Sequence, residues 1–183
     1  MLVVGGSQPP KQKGTNMKKR MSKDRYYLDI AASVAMRGTC LRRNYGAVIV
    51  NDDQIVSTGY TGAPRDTDSC VRLSCVRSLL SIQPGERYDL CASVHAEANA
   101  IIHANRRDML GGTMYLSGVE CSNGDLSKNV WPCYLCQPLI LNAGIETVVI
   151  EGSNYHKIEK MNRKEMIERF NGWVDKLKDN RKG

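Results

Sequence analysis

The sequence predicts an α/β domain built on a central mixed sheet of four to five strands. Three observations carry this. β-Branched runs at 47–50 and 55–60 flank Asn51-Asp52-Asp53, the pattern of a hairpin. Helically spaced apolar residues at 95–107 and 133–143 then alternate with short strand-like runs at 114–116 and 148–150. A hydrophobic content of 42% over 183 residues is enough for one domain with its own core.

Taken in order, residues 1–22 read as a disordered basic tail, with Gly5-Gly6, Pro9-Pro10 and scattered lysines. Tyr27, Ile30, Ala31, Val34 and Ala35 recur at helical spacing, so 23–37 is a helix that stops at Gly38. After the hairpin, 61–94 is a long connection holding three cysteines, with one short helix near 71–81. A connection of that length needs a staple or a function. The segment 95–107 is an Ala-rich helix, Met114-Tyr115-Leu116 a strand and 119–131 a polar loop. The helix at 133–143 ends near Gly144, and Val148-Val149-Ile150 is a further strand. The domain is expected over 23–156. Charge and apolar residues at helical spacing over 160–178 make 157–183 an amphipathic helix packed on it, with no clear last strand before it.

The net charge is +7, and it sits in the tails. Residues 1–20 carry five Lys/Arg and no acid, and 156–183 carry nine against five acids, which leaves 21–155 at about −2. Basic tails around a slightly acidic centre do not make a nucleic-acid channel, so a nucleic-acid partner is not expected. No apolar run approaches the ~18 residues of a membrane span, and Met1-Leu2-Val3-Val4 is too short for a signal peptide. The expected location is the cytoplasm.

Seven cysteines without an export signal point to metal rather than disulfides. Two segments define the chemistry. His95-Ala96-Glu97 opens one helix, and Pro132-Cys133-Tyr134-Leu135-Cys136 opens another. His95, Cys133 and Cys136 would give zinc three protein ligands and leave a fourth position for water. A helix N-terminus favours thiolate over thiol. Glu97, two residues past His95, would sit beside that water as general acid and base. Either half alone is common. The pair H-x-E and P-C-x-x-C, in this order, is the signature of zinc-dependent nucleobase deaminases.

Over roughly 24–156 the chain resembles the deoxycytidylate (dCMP) deaminases. The resemblance runs through Tyr45–Val50, Ser57–Pro64, Val94–Ile101, Pro132–Cys136 and Asn142–Ile145. It implies a three-layer α/β/α cytidine deaminase-like fold and conversion of dCMP to dUMP, which feeds thymidylate synthesis. It further implies activation by dCTP, possible Mg2+ with that effector, inhibition by dTTP and a homohexamer. Arg42, Arg43 and Arg65 flank segments resembling the substrate wall, and Arg42 and Arg65 are the candidate phosphate ligands. Ala96 and Cys133 would lend backbone amides, and Trp131 a carbonyl. Tyr155-His156 resembles a pair carried by some relatives. The chain departs from the family in having Thr61 where an Asn amide helps bind the nucleotide; a hydroxyl cannot present a donor and an acceptor together as an amide does. The 119–131 insertion is another departure.

Some relatives carry a structural zinc near the long connection, so Cys40, Cys70, Cys75 and Cys91 are expected to bind one here, tying the loop down. Cys121 is left as a free thiol and His103 as a surface residue. The alternatives are a polynucleotide (tRNA or DNA) deaminase, a nucleoside or base deaminase, and a non-catalytic DNA-uptake-associated protein with this fold. The first needs stacking aromatics, of which the chain has few (6%). The last has no use for Glu97.

Overall fold

The computed structural model describes residues 20–127, 130–152 and 157–179. Most of the expected tail, and the Tyr155-His156 pair, lie outside the described residues. Helix α1 (Lys23–Ala35) starts where the Ser22 hydroxyl accepts a hydrogen bond from the Arg25 amide at 3.2 Å, with Asp24 in the first turn. Strands β1 (Arg43–Asn51) and β2 (Gln54–Tyr60) form the expected hairpin. Its turn residues Asp52 and Asp53 have φ of +46° and +63°, the left-handed pair of a two-residue type I′ turn.

Strands β3 (Thr113–Glu120), β4 (Thr147–Glu151) and β5 (Ile158–Asn162) complete a five-stranded sheet in the order β2-β1-β3-β4-β5. Strands β3 and β4 run parallel and the other neighbours antiparallel, so the sheet is mixed as expected. The parallel pair requires a crossover, and helix α6 (Cys136–Ala143) supplies it.

Side chains alternate between the two faces of each strand, and the core divides accordingly. On one face Val48, Val50, Tyr115 and Val149 meet Tyr27, Leu28 and Ala31 of α1. On the other, Ala47, Ile49, Met114, Leu116, Val148 and Ile150 meet Ala96 and Ala100 of helix α4 (Ala96–Ile102) and Ile140 of α6. Helix α7 (Arg163–Asp179) joins this second layer through Met166. The result is the expected three-layer α/β/α arrangement. Among the described residues no helix is long and apolar enough to cross a membrane.

The packing of α4 on β2 is closest at Gly59, where a Cβ would collide with the backbone of Ala96 and Ala100. Backbone cannot step aside as a flexible side chain can. Gly59→Ala is therefore expected to destabilise the fold by about 1–3 kcal/mol or more and to displace the helix that carries the site. Thermal melting checks this; an unchanged melting temperature would mean that α4 moves freely on the sheet.

Several elements differ from their expected bounds. The helix expected near 71–81 is two short ones, α2 (Cys70–Leu73) and α3 (Val76–Leu79), separated by Ser74 at φ +68°. The 95–107 helix stops at Ile102, and α5 (Arg106–Met109) starts afresh. Residues 133–136 are a turn, so α6 begins at Cys136. Strand β5, absent from the sequence reading, takes the first residues of the expected C-terminal helix. That helix starts only after Asn162, whose side chain accepts from the Glu165 amide at 3.0 Å while Glu165 accepts from the Asn162 amide at 2.8 Å. This is a reciprocal cap of the Asn-x-x-Glu kind.

Candidate active site

Two helix starts on the same side of the sheet converge. His95 is the residue preceding α4, with extended backbone. The segment before it is clipped to the end of β2: the Gly62 amide donates to the Val94 carbonyl at 3.1 Å and the Val94 amide to the Gly62 carbonyl at 2.7 Å. Glu97 lies in the first turn of α4 and is 8% exposed. Before α6, the Cys133 carbonyl accepts from the amides of Cys136 and Gln137, each at 3.0 Å. This turn brings both sulfurs to one side. The Gln137 side-chain amide donates to the Pro132 carbonyl at 3.0 Å and fixes the turn from below.

His95 Nδ1 then lies 3.3 Å from Cys133 Sγ and 3.4 Å from Cys136 Sγ. All three ligand atoms fall within 4.8 Å of one another. A tetrahedral zinc with ordinary Zn–S and Zn–N bonds needs N···S separations of ~3.5 Å, so this donor set fits the ion. The electrostatics fit as well. Burial opposes charge on His95, but its hydrogen bonds to Cys133 and Cys91 and the nearby Glu97 carry it up to about 10. The hydrogen bond from Cys136, helped by His95 against burial, pulls Cys133 down to about 4. Cys136 is raised by the same shared hydrogen bond and by burial. One proton thus sits between two sulfurs beside an imidazolium, a site a divalent cation can occupy by displacing protons. Burial also raises Glu97, which suits a group that must both take and give a proton near neutrality.

The triad opens onto a cavity of about 250 Å³ whose wall includes His95, Glu97 and Cys133. Arg42 and Thr61 line it. Thr61 is 4% exposed, and its hydroxyl oxygen accepts from the Tyr45 amide at 3.2 Å. Arg65 does not line it: its Nη2 lies 2.7 Å from Nε2 of the exposed His103, on the outer side of α4. Ala96 is wholly buried in the core beneath the site and is not part of the cavity wall.

Cys40, Cys70, Cys75 and Cys91 all reach the cavity wall. They are not drawn together as a ligand set: among the described residues, His95, Cys133 and Cys136 are the one group of three or more metal-binding side chains so close. The four thiols have separate partners. Cys40 Sγ accepts from the Arg42 amide at 3.4 Å, Cys70 Sγ is 3.5 Å from Ser93 Oγ, Cys75 bonds to Ser78 and Cys91 to His95. Cys121 is exposed and free, with its thiol on the Cys40 carbonyl at 3.1 Å.

Other residues at the site were not anticipated. Tyr88 meets the His95 ring edge-on at 5.3 Å, and the Arg77 guanidinium lies 4.6 Å from the Tyr88 ring centroid. Glu120, at the end of β3, faces the cavity and pairs with Arg43 at 2.7 Å. Tyr134, between the two site cysteines, stacks on Trp173 of α7 at 5.0 Å. Apart from Tyr134, inside the cysteine motif, these residues come from the connection, the insertion and the C-terminal helix, where no spacing signals a site.

Residues 21–151 match the family described as the cytidine and deoxycytidylate deaminase zinc-binding region. The deoxycytidylate deaminase of Mycobacterium phage D29 is 38% identical over 131 residues, covering 69% of this chain and 91% of that protein. The deoxycytidylate deaminase of Schizosaccharomyces pombe is 32% identical over 134 residues, but these span only 38% of its length. The solved dCMP deaminase of cyanophage S-TIM5, in complex with dCMP and dUMP, superposes with a TM-score of 0.50 at 21% identity, over 72% of this chain and 83% of that one, a likeness of fold. With the match running from α1 to the end of β4 and taking in both halves of the metal site, the chain belongs to the cytidine and deoxycytidylate deaminase zinc-binding family.

Proposed function

We propose that this protein is a zinc-dependent hydrolase that converts dCMP and water to dUMP and ammonia. The observation that carries the reading is the His95/Cys133/Cys136 triad at the wall of a cavity with the buried Glu97 beside it. The similarity to the phage D29 enzyme over nearly its whole length supports dCMP as the substrate. His95, Cys133 and Cys136 would hold a zinc ion, which would supply a Lewis-acidic position at which water ionises near neutral pH. Glu97 would accept one proton of the attacking water and pass it to N3 of the cytosine ring as the oxygen adds to C4. It would then take the remaining hydroxyl proton and deliver it to the amine, so that the C4–N bond breaks, ammonia leaves and a carbonyl remains. The apolar walls about the site, Leu116 and Val130 among them, exclude bulk water and strengthen each of these interactions.

The test is release of uracil nucleotide from dCMP, CMP, dCTP and deoxycytidine by zinc-replete protein. Preferential turnover of dCMP is expected; turnover of none would overturn the reading. The proposal includes activation by dCTP with Mg2+, inhibition by dTTP and a hexamer, read from the same assay with each effector and from the mass in solution. The separate partners of the four remaining cysteines favour one zinc per chain. A measured count of two would return Cys40, Cys70, Cys75 and Cys91 to the role of a structural site.

A further inference from the structure

Arg77 is a charged side chain 7% exposed, on the wall of the catalytic cavity. Among the described residues it has no carboxylate partner, and its Nε has no hydrogen-bond partner. Its Nη2 donates to the Gln83 carbonyl at 3.1 Å. Arg42 reaches the same stretch of chain, with Nη1 on the Ile82 carbonyl at 3.2 Å. Two guanidinium groups on the cavity wall therefore converge on adjacent carbonyls, and among the described residues neither meets a carboxylate. Arg43, the third arginine on this wall, is already paired with Glu120.

A buried cation without a counter-charge is costly, and the cost is removed when an anion enters. Tyr88 gives the scale of the site. Its ring carries Arg77 at 4.6 Å from its centroid and meets the His95 ring at 5.3 Å, nearly perpendicular, so one aromatic ring separates the guanidinium from the metal triad. That gap suits the sugar that separates the reacting base of a nucleotide from its 5′-phosphate. Planar guanidinium groups bind phosphate oxygens in pairs.

We propose that Arg77, assisted by Arg42, holds the 5′-phosphate of the substrate and makes the site select nucleotides over nucleosides. The inference rests on the nucleotide-deaminase reading above. It replaces Arg65 with a residue from the connection between β2 and α4. The connection then earns its length: it carries α3, which brings Arg77 over the cavity, and Tyr88, on which Arg77 rests.

The experiment compares wild type, Arg77→Met, Arg77→Lys and Arg42→Met, each zinc-replete and checked by thermal melting. It reads kcat/KM for dCMP and for deoxycytidine, and calorimetric binding of dUMP and deoxyuridine. Losing a buried charge-assisted contact in Arg77→Met should lower the preference for dCMP over deoxycytidine, read as the ratio of their kcat/KM values, by ~100-fold. The binding advantage of dUMP over deoxyuridine should shrink by a similar factor, with Arg77→Lys keeping part of it and Arg42→Met losing a smaller part. An equal loss for both substrates and both products would leave Arg77 as a staple of the loop and nothing more and overturn the proposal, as would no loss. Should Arg77→Met not fold, Arg77→Lys decides: an unchanged preference for dCMP and dUMP overturns it. If wild type deaminates neither compound, the function reading fails, and the dUMP and deoxyuridine affinities alone judge Arg77.

Discussion

Replacing Glu97 with Gln is expected to lower kcat for dCMP by at least ~10³-fold, within the range that general acid–base catalysis supplies. Zinc content and product affinity should stay as in wild type. Glutamine keeps the shape of the side chain and its place in the first turn of α4, but it cannot carry one water proton to the ring nitrogen and the other to the leaving amine. Glu97 is not one of the three residues that gather about the metal position, so its loss leaves His95, Cys133 and Cys136 intact. Measuring turnover, zinc and dUMP binding on one preparation separates the roles. A variant that loses zinc would make Glu97 a ligand. A variant with unimpaired turnover would leave the buried carboxylate without a part in the chemistry and would favour a binding protein with this fold.

The same geometry explains what could be read from the sequence. His95 and Glu97 are fixed by their two-residue spacing at a helix start, and Cys133 and Cys136 by one turn ahead of another. Local spacing determines both halves, and the mixed sheet brings them together. The hairpin was legible for a similar reason: β-branched residues on either side of Asn51-Asp52-Asp53 leave the chain little alternative. Arg77 and Tyr88 come from a stretch whose course is set by contacts distant in sequence. Arg65 and Arg77 therefore look alike on paper, and only the fold sends one to His103 and the other into the cavity. Strand β5 is short and follows the helical pattern too closely to announce itself. Its signal was the Asn162-x-x-Glu165 cap, which marks where the helix begins and hence that Ile158–Asn162 lies outside it.

The four cysteines about the connection, expected to hold a structural zinc as in some relatives, line the cavity with separate partners: Cys91 bonds to His95 and Cys70 faces Ser93. Cys91 on His95 is better understood as orienting the ring, since a partner on a metal-ligating imidazole sets its tautomer and direction. The staple that the long connection requires is then supplied by polar and aromatic contacts. These are Arg42 on Ile82, Arg77 on Gln83 and Tyr88, and the Gly62–Val94 bridge that closes its two ends.

Loss of the metal should abolish activity, and its uptake should release protons in a number the site predicts. In the metal-free protein near pH 7, His95, raised to about 10, is protonated. Cys136, raised above its ordinary value, is a thiol, while Cys133, lowered to about 4, is already a thiolate. All three must be deprotonated to ligate, so binding releases about two protons, one from His95 and one from Cys136. Zinc affinity should then fall ~100-fold for each unit the pH is lowered about neutrality, and more steeply below about 4, where Cys133 also takes up a proton. Calorimetry in buffers of different ionisation enthalpy counts the protons directly. Replacing Cys136 with Ala removes a ligand and also the hydrogen bond that holds Cys133 down, so zinc binding should be much weaker and dCMP turnover should fall by at least ~10³-fold. Full zinc occupancy and turnover would remove Cys136 from the metal site.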